Sequence, residues 1–240
     1  MIDTTNNNRL DQIRSKLEMY KPPVHNKPYH PEILDKIIQF ITSSLRYHPK
    51  ATFYRADLRF PETCNPTSPQ ISDSPSYHVK NDSSVISRFQ EALKWRINKH
   101  LSKHSKSHTI VHILWVRELS NQAGYHYHVI IALNANSFLR LGNYDNNASL
   151  ANMVQTAWNS AMGISTEPPY FVYFSNTHYL DINQTDSKLM PQIRDTYNHF
   201  SYLAKVATKP LDDGLRNFGC SQLDNGCWSL MRQKIKRKGA

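Results

Sequence analysis

The sequence predicts an α+β protein built on a central antiparallel sheet of the ferredoxin-like, or split βαβ, type. First, short β-branched and aromatic runs alternate with longer runs whose apolar residues have helical spacing. Second, their order along the chain is β-α-β-β-α-β followed by one more helix. Third, a chain of 240 residues with 39% hydrophobic residues can bury one main core with extensions. In the usual sheet of this type the third strand lies centrally, between strands one and two.

The chain begins with a segment that is predicted to be a helical arm. Residues 1–30 are polar and interrupted by three prolines, which leaves room for a short helix at 8–19. Apolar residues then recur at helical spacing over 31–46, and the proline at the start of that run suits a first helical turn. The arm is therefore predicted at 1–48 and the main domain at 49–221.

The first half of the main domain is predicted to contain three strands and one helix. Strand one is Ala51–Phe60, and a Pro/Ser/Asn-rich loop follows at 61–83. Helical spacing of apolar residues predicts a long helix from Ile86 to Leu101 with a basic opposite face. Strands two and three are Thr109–Leu119 and Tyr125–Asn134, and a tight turn joins them.

The second half is predicted to add two helices and a strand. Asn147 or Ser149 could cap the first of these helices. Two prolines then stop it, and strand four begins at 170–174. The last helix is predicted at about 192–207. A basic tail follows at 222–240, and such a run of charges is by default disordered and exposed to solvent.

Net charge favours a polyanionic partner. The chain carries a formal charge of +10 and has a pI near 9.5, so a positive field surrounds it. The simpler alternative is a soluble basic protein that has no polyanionic partner. No GxxxxGK[ST] phosphate loop occurs, so any duplex unwinding would depend on the ATPase of another protein.

Cysteine usage and hydropathy indicate a reducing compartment. The cysteines Cys64, Cys220 and Cys227 are odd in number and lack the paired spacing of a zinc site. The first residues are rich in Asn and Thr, and no run approaches the length of a membrane span. We therefore expect a cytoplasmic protein with no membrane partner.

A His-x-His pair at the start of strand three is the main candidate for a metal site. The two-residue period of a strand places His126 and His128 on one face, close enough to hold one ion. If the preceding hairpin sets residue 118 opposite 126, Glu118 shares that face, while Asp57 is the second choice for the carboxylate. Such a donor set suits Mg²⁺ or Mn²⁺. The competing interpretation is a pair of polar residues at an exposed strand end.

A tyrosine and a lysine three residues apart on a helix are the candidate nucleophile and its cationic partner. Three such pairs occur, but Tyr47 precedes a proline and Tyr77 lies in the Pro/Ser-rich loop. Only Tyr202 and Lys205 stay within a predicted helix. Tyr197 is a less favoured second nucleophile.

These residues, in this order, resemble the inovirus-type replication-initiator-like proteins of prophages and mobile elements, a branch of the HUH (His-hydrophobe-His) endonuclease superfamily. The resemblance extends over about 51–221. It is carried by Trp115-Val116-Arg117-Glu118, by Gly124-Tyr125-His126-Tyr127-His128-Val129 with Leu133-Asn134, by Tyr202-Leu203-Ala204-Lys205 with Lys209, and by Arg216-Asn217-Phe218-Gly219.

The resemblance implies an HUH-endonuclease-like fold and a metal-dependent, site-specific single-strand DNA nickase and strand transferase. The metal held by His126 and His128 would polarise the scissile phosphate. Tyr202 would attack it and leave a 5′-phosphotyrosine and a free 3′-hydroxyl, so that rolling-circle replication of a mobile element could begin. The partners would be a single-stranded or hairpin DNA origin, a host helicase and a DNA polymerase. The third metal ligand varies across the superfamily.

Basic residues are expected to contact the DNA. The basic helix at 85–103, the 61–83 loop and the tail are the candidate reading elements. The DNA-binding candidates are Arg55, Lys94, Lys99, Lys103 and Lys209, the last of which is expected to meet phosphate or solvent.

Two other functions fit parts of the pattern. A non-catalytic nucleic-acid-binding module would use the same sheet as a platform. An iron enzyme would use two histidines and a carboxylate as its ligands. The binding module predicts that Tyr202→Phe changes no measurable activity, and the iron enzyme predicts tightly held iron with no covalent DNA adduct.

Overall fold

The computed structural model describes residues 4–23, 28–61, 83–104, 108–120, 124–207, 209 and 214–221. Within them lie five α-helices, one 3₁₀ helix and five strands. The α-helices are α1 (Thr4–Met19), α2 (Pro31–Tyr47), α3 (Val85–His104), α4 (Leu150–Met162) and α5 (Asp186–Ser201), and a 3₁₀ turn at Tyr202–Ala204 continues α5. The strands are β1 (Lys50–Arg59), β2 (His112–Ser120), β3 (Gly124–Asn134), β4 (Val172–Asp181) and β5 (Phe218–Cys220).

The five strands form one antiparallel sheet in the order β4-β1-β3-β2-β5. The central position of β3, between β1 and β2, confirms the prediction. Hydrogen bonds on both edges fix its register, so its alternating side chains are assigned unambiguously to one face or the other. The register of the β2–β3 hairpin pairs Glu118 with His126, as the sequence predicts.

Helices cover both faces of the sheet, so the molecule has two cores. The first core lies between the sheet and α3 with α4, and it receives Tyr127 and Val129 of β3. The second core lies between the opposite face and α1, α2 and α5, and it receives Ile130 and Ala132. Because side chains alternate along β3, His126 and His128 point to the second face.

The N-terminal helices are built into the second core. Leu10, Ile13 and Leu17 of α1 are buried, and Ile37 and Ile41 of α2 are fully buried. A helix with one apolar stripe gains its stability by packing that stripe away from water. The domain boundary at residue 48 stays a prediction, but α1 and α2 share a core with the sheet.

Three elements differ from the sequence prediction. Helix α1 begins at Thr4 rather than near 8, whereas β4 begins at Val172, within the predicted range. Helix α5 begins at Asp186 and includes Pro191, whereas the prediction began the helix after that proline. Pro191 lies beyond the first turn and lacks one backbone hydrogen bond, but the buried side chains of Leu189 and Ile193 on either side of it stabilise the helix through this position. Strand β5 was not predicted.

Helix α4 confirms one of the two capping alternatives. Ser149 is the N-cap, and its side chain accepts a hydrogen bond from the backbone N–H of Asn152. Gly163 ends the helix in the left-handed conformation with φ of 75°. Most of the 61–83 loop and the whole 222–240 tail lie outside the described residues, as does Cys227. None of the described helices is long and apolar enough to cross a membrane.

Candidate metal centre and neighbouring tyrosine

The sheet face under α5 carries a compact group of metal-ligating side chains. One ligand atom each from Glu118, His126 and His128 lies within 4.8 Å of the others, and all three residues are buried. Nε2 of His128 is 3.3 Å from Oε2 of Glu118, and Nε2 of His126 is 3.9 Å from the same oxygen. The group could hold a metal ion because two imidazoles and one carboxylate converge on a common point.

Both histidines direct Nε2 toward the carboxylate of Glu118. Nδ1 of His128 donates a 2.5 Å hydrogen bond to Oδ1 of Asp57, and Nδ1 of His126 donates a 3.1 Å hydrogen bond to the carbonyl of Gly124. These acceptors fix the tautomers and ring orientations, which leaves Nε2 of each ring directed at the carboxylate of Glu118. Asp57 therefore orients a ligand, and Glu118 is the carboxylate within the ligand group.

The charges of the group are strongly coupled. Burial lowers the pKa of His126. Burial also disfavours the charged form of His128, but hydrogen bonds with Asp57 and Glu118 outweigh it and raise the pKa of this imidazole. The pKa of Glu118 is lowered despite burial, because His128 and Lys209 stabilise the carboxylate. A proton on Nε2 of His128 and a metal ion would stabilise the same carboxylate of Glu118, so the two compete for this position.

Lys209 is part of the centre. Its Nζ donates a 2.6 Å hydrogen bond to Oε1 of Glu118, and its side chain is only 1% exposed. This placement differs from the expected contact with phosphate or solvent, because the ammonium lies inside the molecule on a buried carboxylate. Oε1 of Glu118 faces the lysine while Oε2 faces the two imidazoles, so the carboxylate is shared between an internal cation and the ligand group.

Tyr202 and Lys205 lie beside this centre. The Tyr202 ring is edge-on to the His128 ring with centroids 6.1 Å apart, and Nζ of Lys205 donates a 3.1 Å hydrogen bond to its hydroxyl. The prediction that both residues lie within an α-helix is wrong in detail. Tyr202 is in the 3₁₀ turn, and Lys205 has extended dihedral angles. A 3₁₀ turn has three residues per turn, so residues three apart still lie on one side.

Arg55 also packs against the ring of Tyr202. Its guanidinium lies 4.9 Å from the centroid of the Tyr202 ring, and its Nε is 3.7 Å from Oδ1 of Asp57. The residue is 8% exposed, and among the described residues its Nε has no hydrogen-bond partner. A buried guanidinium whose Nε has no hydrogen-bond partner among the described residues, beside a phenol, is suited to receive an anion.

Another tyrosine considered from sequence lies in a different environment. Tyr197 is 2% exposed and packs edge-on against Tyr20, and burial raises the pKa of its phenol to about 12. Tyr47 is the last residue of α2, and its ring is edge-on to that of His112. Tyr77 lies outside the described residues.

The lysines of α3 lie away from the centre. Lys94, Lys99 and Lys103 belong to a helix that packs on the first face of the sheet, whereas the histidines point to the second. Lys99 and Lys103 are exposed, and Nζ of Lys99 lies over the ring of Trp95. The structure therefore brings Arg55 and Lys209 to the candidate site but leaves these three on the opposite side of the sheet.

A second histidine cluster, not identified from sequence, lies beside Arg55. Nε2 of His178 is 2.7 Å from Nδ1 of His199, and Nδ1 of His178 is 3.6 Å from Oδ2 of Asp195. Burial and the neighbouring charge of Arg55 lower the pKa of His199 to about 4. The i and i+4 spacing of Asp195 and His199 puts them on one face of α5, but only tertiary structure brings in His178 from β4.

Comparison with known proteins gives a family match over most of the chain. The sequence model of the YagK/YfjJ C-terminal domain matches residues 14–221. The chain is 35% identical over 204 residues to a protein called uncharacterized protein YfjJ of Escherichia coli K12, which covers 78% of this chain and 92% of that protein. It is 31% identical over 209 residues to uncharacterized protein YagK of the same strain, and the match covers 84% of this chain and 95% of that protein. No solved structure matches.

Proposed function

The chain belongs to the YagK/YfjJ C-terminal domain family, and for this member we propose metal-dependent, site-specific nicking and strand transfer of single-stranded DNA through a 5′-phosphotyrosine. The observation that carries the proposal is the position of Tyr202. Its ring contacts His128 of the metal-ligating group, and its hydroxyl accepts a hydrogen bond from Lys205. A phenol, a cation and a metal-ligating group in one place are the parts that phosphodiester transfer requires.

The donor set fits a divalent cation. Glu118, His126 and His128 would hold it, and Asp57 would keep the His128 ring in the metal-binding tautomer. We propose Mg²⁺ or Mn²⁺ as the ion, with open positions left for phosphate oxygen and water. When bound, such an ion supplies Lewis-acid polarisation of the scissile phosphate.

The chain's own residues would then carry out the transfer. The Tyr202 oxygen attacks phosphorus in line, the bond from phosphorus to the 3′-oxygen breaks, and that oxygen takes up a proton to become a free 3′-hydroxyl. The phenol proton passes to solvent water, and Lys205 stabilises the phenolate that develops. Arg55, stacked on the Tyr202 ring, offers guanidinium donors to the phosphate oxygens.

The product defines the role in replication. A free 3′-hydroxyl is a primer for a DNA polymerase, and the covalent 5′ end is available for rejoining, so the reaction would initiate rolling-circle-type replication of a mobile element. A host helicase would separate the strands. The antiparallel sheet with β3 at its centre supports a ferredoxin-like, HUH-type assignment of the fold.

The test is incubation of the purified chain with Mn²⁺ and a pool of single-stranded oligonucleotides, followed by a denaturing gel and peptide mass spectrometry. We expect a covalent DNA adduct on Tyr202 that disappears in Tyr202→Phe. Tyr197→Phe is the matched control, because it removes a hydroxyl from the buried tyrosine of α5 and should leave the adduct unchanged.

Three results would overturn the proposal. An adduct on Tyr197 would show that Tyr202 is not the nucleophile. Equal activity of wild-type chain and Tyr202→Phe would favour a non-catalytic binding module. Tightly held iron without any DNA adduct would favour an iron enzyme.

A further inference from the structure

An exposed tyrosine and an arginine lie two strands from the His128 ring, on the same face of the sheet. The register pairs Tyr173 of β4 with Asp57 of β1, and Asp57 in turn with His128 of β3. Directly paired residues in a sheet point to the same side. Since strands are about 4.8 Å apart, Tyr173 lies about 10 Å across the sheet from the histidine.

Tyr173 is an unusual residue for this position. It is 55% exposed, whereas its neighbours Val172 and Phe174 point to the other face and pack against the first core. The guanidinium of Arg59 lies 4.5 Å from the centroid of its ring. Arg59 also shares the face of the centre, because the register pairs it with His126.

The Arg59 backbone is firmly held. Its N–H donates a 2.8 Å hydrogen bond to the carbonyl of Phe171, and its own carbonyl accepts a 2.6 Å hydrogen bond from the indole of Trp158. Trp158 is fully buried. The backbone that carries the Arg59 side chain is thus fixed beside Tyr173.

We propose that Tyr173 and Arg59 form a base-stacking subsite for the single-stranded nucleic acid that reaches the centre. The inference rests on the proposed function, since it places one base of that strand on the Tyr173 ring and a neighbouring phosphate by Arg59. An aromatic ring with a cation beside it binds any base through its flat face and the backbone through its charge. The net charge of +10 favours the same partner.

The test separates stacking from charge. Binding of two fluorescent single-stranded oligonucleotides of equal length, one of mixed sequence and one with abasic sites throughout, is measured by anisotropy with Mn²⁺ in the Tyr202→Phe background. Tyr173→Ala should weaken binding of the base-containing strand about 10-fold and leave binding of the abasic strand unchanged. Arg59→Gln should weaken binding of both strands.

Matched variants control for folding. Tyr173→Leu keeps a bulky strand residue and should bind as Tyr173→Ala does, while Tyr173→Phe keeps the ring and should bind as the background does. Tyr144→Ala removes an exposed tyrosine that contacts Phe174 on the other face of the sheet, and it should have no effect.

The outcomes distinguish this inference from the proposed function. Equal binding by Tyr173→Ala, Tyr173→Leu and Tyr144→Ala, with the Tyr202 adduct still formed by wild-type chain, would overturn the subsite alone. Base-dependent binding through Tyr173 without any adduct would keep the subsite and overturn the nickase. Failure to bind either oligonucleotide would overturn the subsite, whatever the adduct assay shows.

Discussion

Nζ of Lys209 lies 2.6 Å from Oε1 of Glu118, and both side chains are almost completely buried. The ammonium thus compensates a carboxylate that also belongs to the candidate metal ligands. Two buried charges of opposite sign stabilise each other only while both are present, because each has lost its hydration. The pair therefore couples the folding of the chain to the charge state of the metal centre.

Removal of the lysine should destabilise the metal-free chain. In Lys209→Met the carboxylate of Glu118 loses a buried partner, so we expect the free energy of unfolding in urea with EDTA to fall by about 3 kcal/mol. Saturating Mn²⁺ should stabilise this variant more than the wild-type chain, because the ion replaces the missing positive charge. Lys103→Met, at an exposed position of α3, is the control. An unchanged unfolding free energy with an equal Mn²⁺ effect would contradict the role of Lys209.

Asp57 should control metal affinity without being a ligand. Asp57→Asn keeps an oxygen that can accept the hydrogen bond from Nδ1 of His128 but removes the negative charge that makes the imidazole a better donor. We expect the Mn²⁺ dissociation constant, measured by calorimetry, to rise about 10-fold. Asp195→Asn, which alters an exposed carboxylate of α5, should leave it unchanged. Complete loss of Mn²⁺ binding in Asp57→Asn would instead indicate that Asp57 is a direct ligand.

His112 should make the fold sensitive to acid. Burial is the main cause that lowers the pKa of this fully buried imidazole to about 3, from an ordinary value of 6.5. Between these pH values the unfolded chain holds a proton that the folded chain does not, so stability falls as pH falls. The loss from this group is about 1.4 kcal/mol per pH unit.

The variant His112→Leu cannot take up that proton. Urea unfolding at pH 7 and pH 5 should show that it loses about 2 kcal/mol less stability over this interval than the wild-type chain does. Comparison of the two pH values within each protein removes the effect of the substitution on packing. Equal losses in both proteins would mean that His112 is not kept neutral by the fold.

Gly219 should tolerate no side chain. A Cβ at this position would lie 2.7 Å from three atoms of the Trp115 indole, so Gly219→Ala forces the ring to shift. We expect the free energy of unfolding to fall by about 1–3 kcal/mol. A double-mutant cycle with Trp115→Leu checks the cause, because the smaller side chain removes the clash and the two losses should not add. Additive losses would place the cost elsewhere.

Local patterns in the sequence predicted much of the fold. The continuous β-branched run Val129–Ile131 predicts a buried strand, and the hairpin with the preceding strand pairs Glu118 with His126. Such patterns depend only on neighbours within a few residues. For the same reason, apolar spacing also predicted the helices α3 and α4. Strand β5 has three residues and no period, so only its pairing with β2 defines it.

The sequence by itself determined the two histidines on one strand face and the Tyr-x-x-Lys spacing, and it offered Glu118 and Asp57 as the candidate carboxylates. Only the tertiary structure decided that Asp57 orients His128 and that Lys209 is buried on Glu118. It also brought Tyr202 and Arg55 together. The physical reason is that strand and helix periods fix which way neighbouring side chains point. Contacts between residues far apart in the chain depend instead on how α5 and the segment after it pack across the sheet.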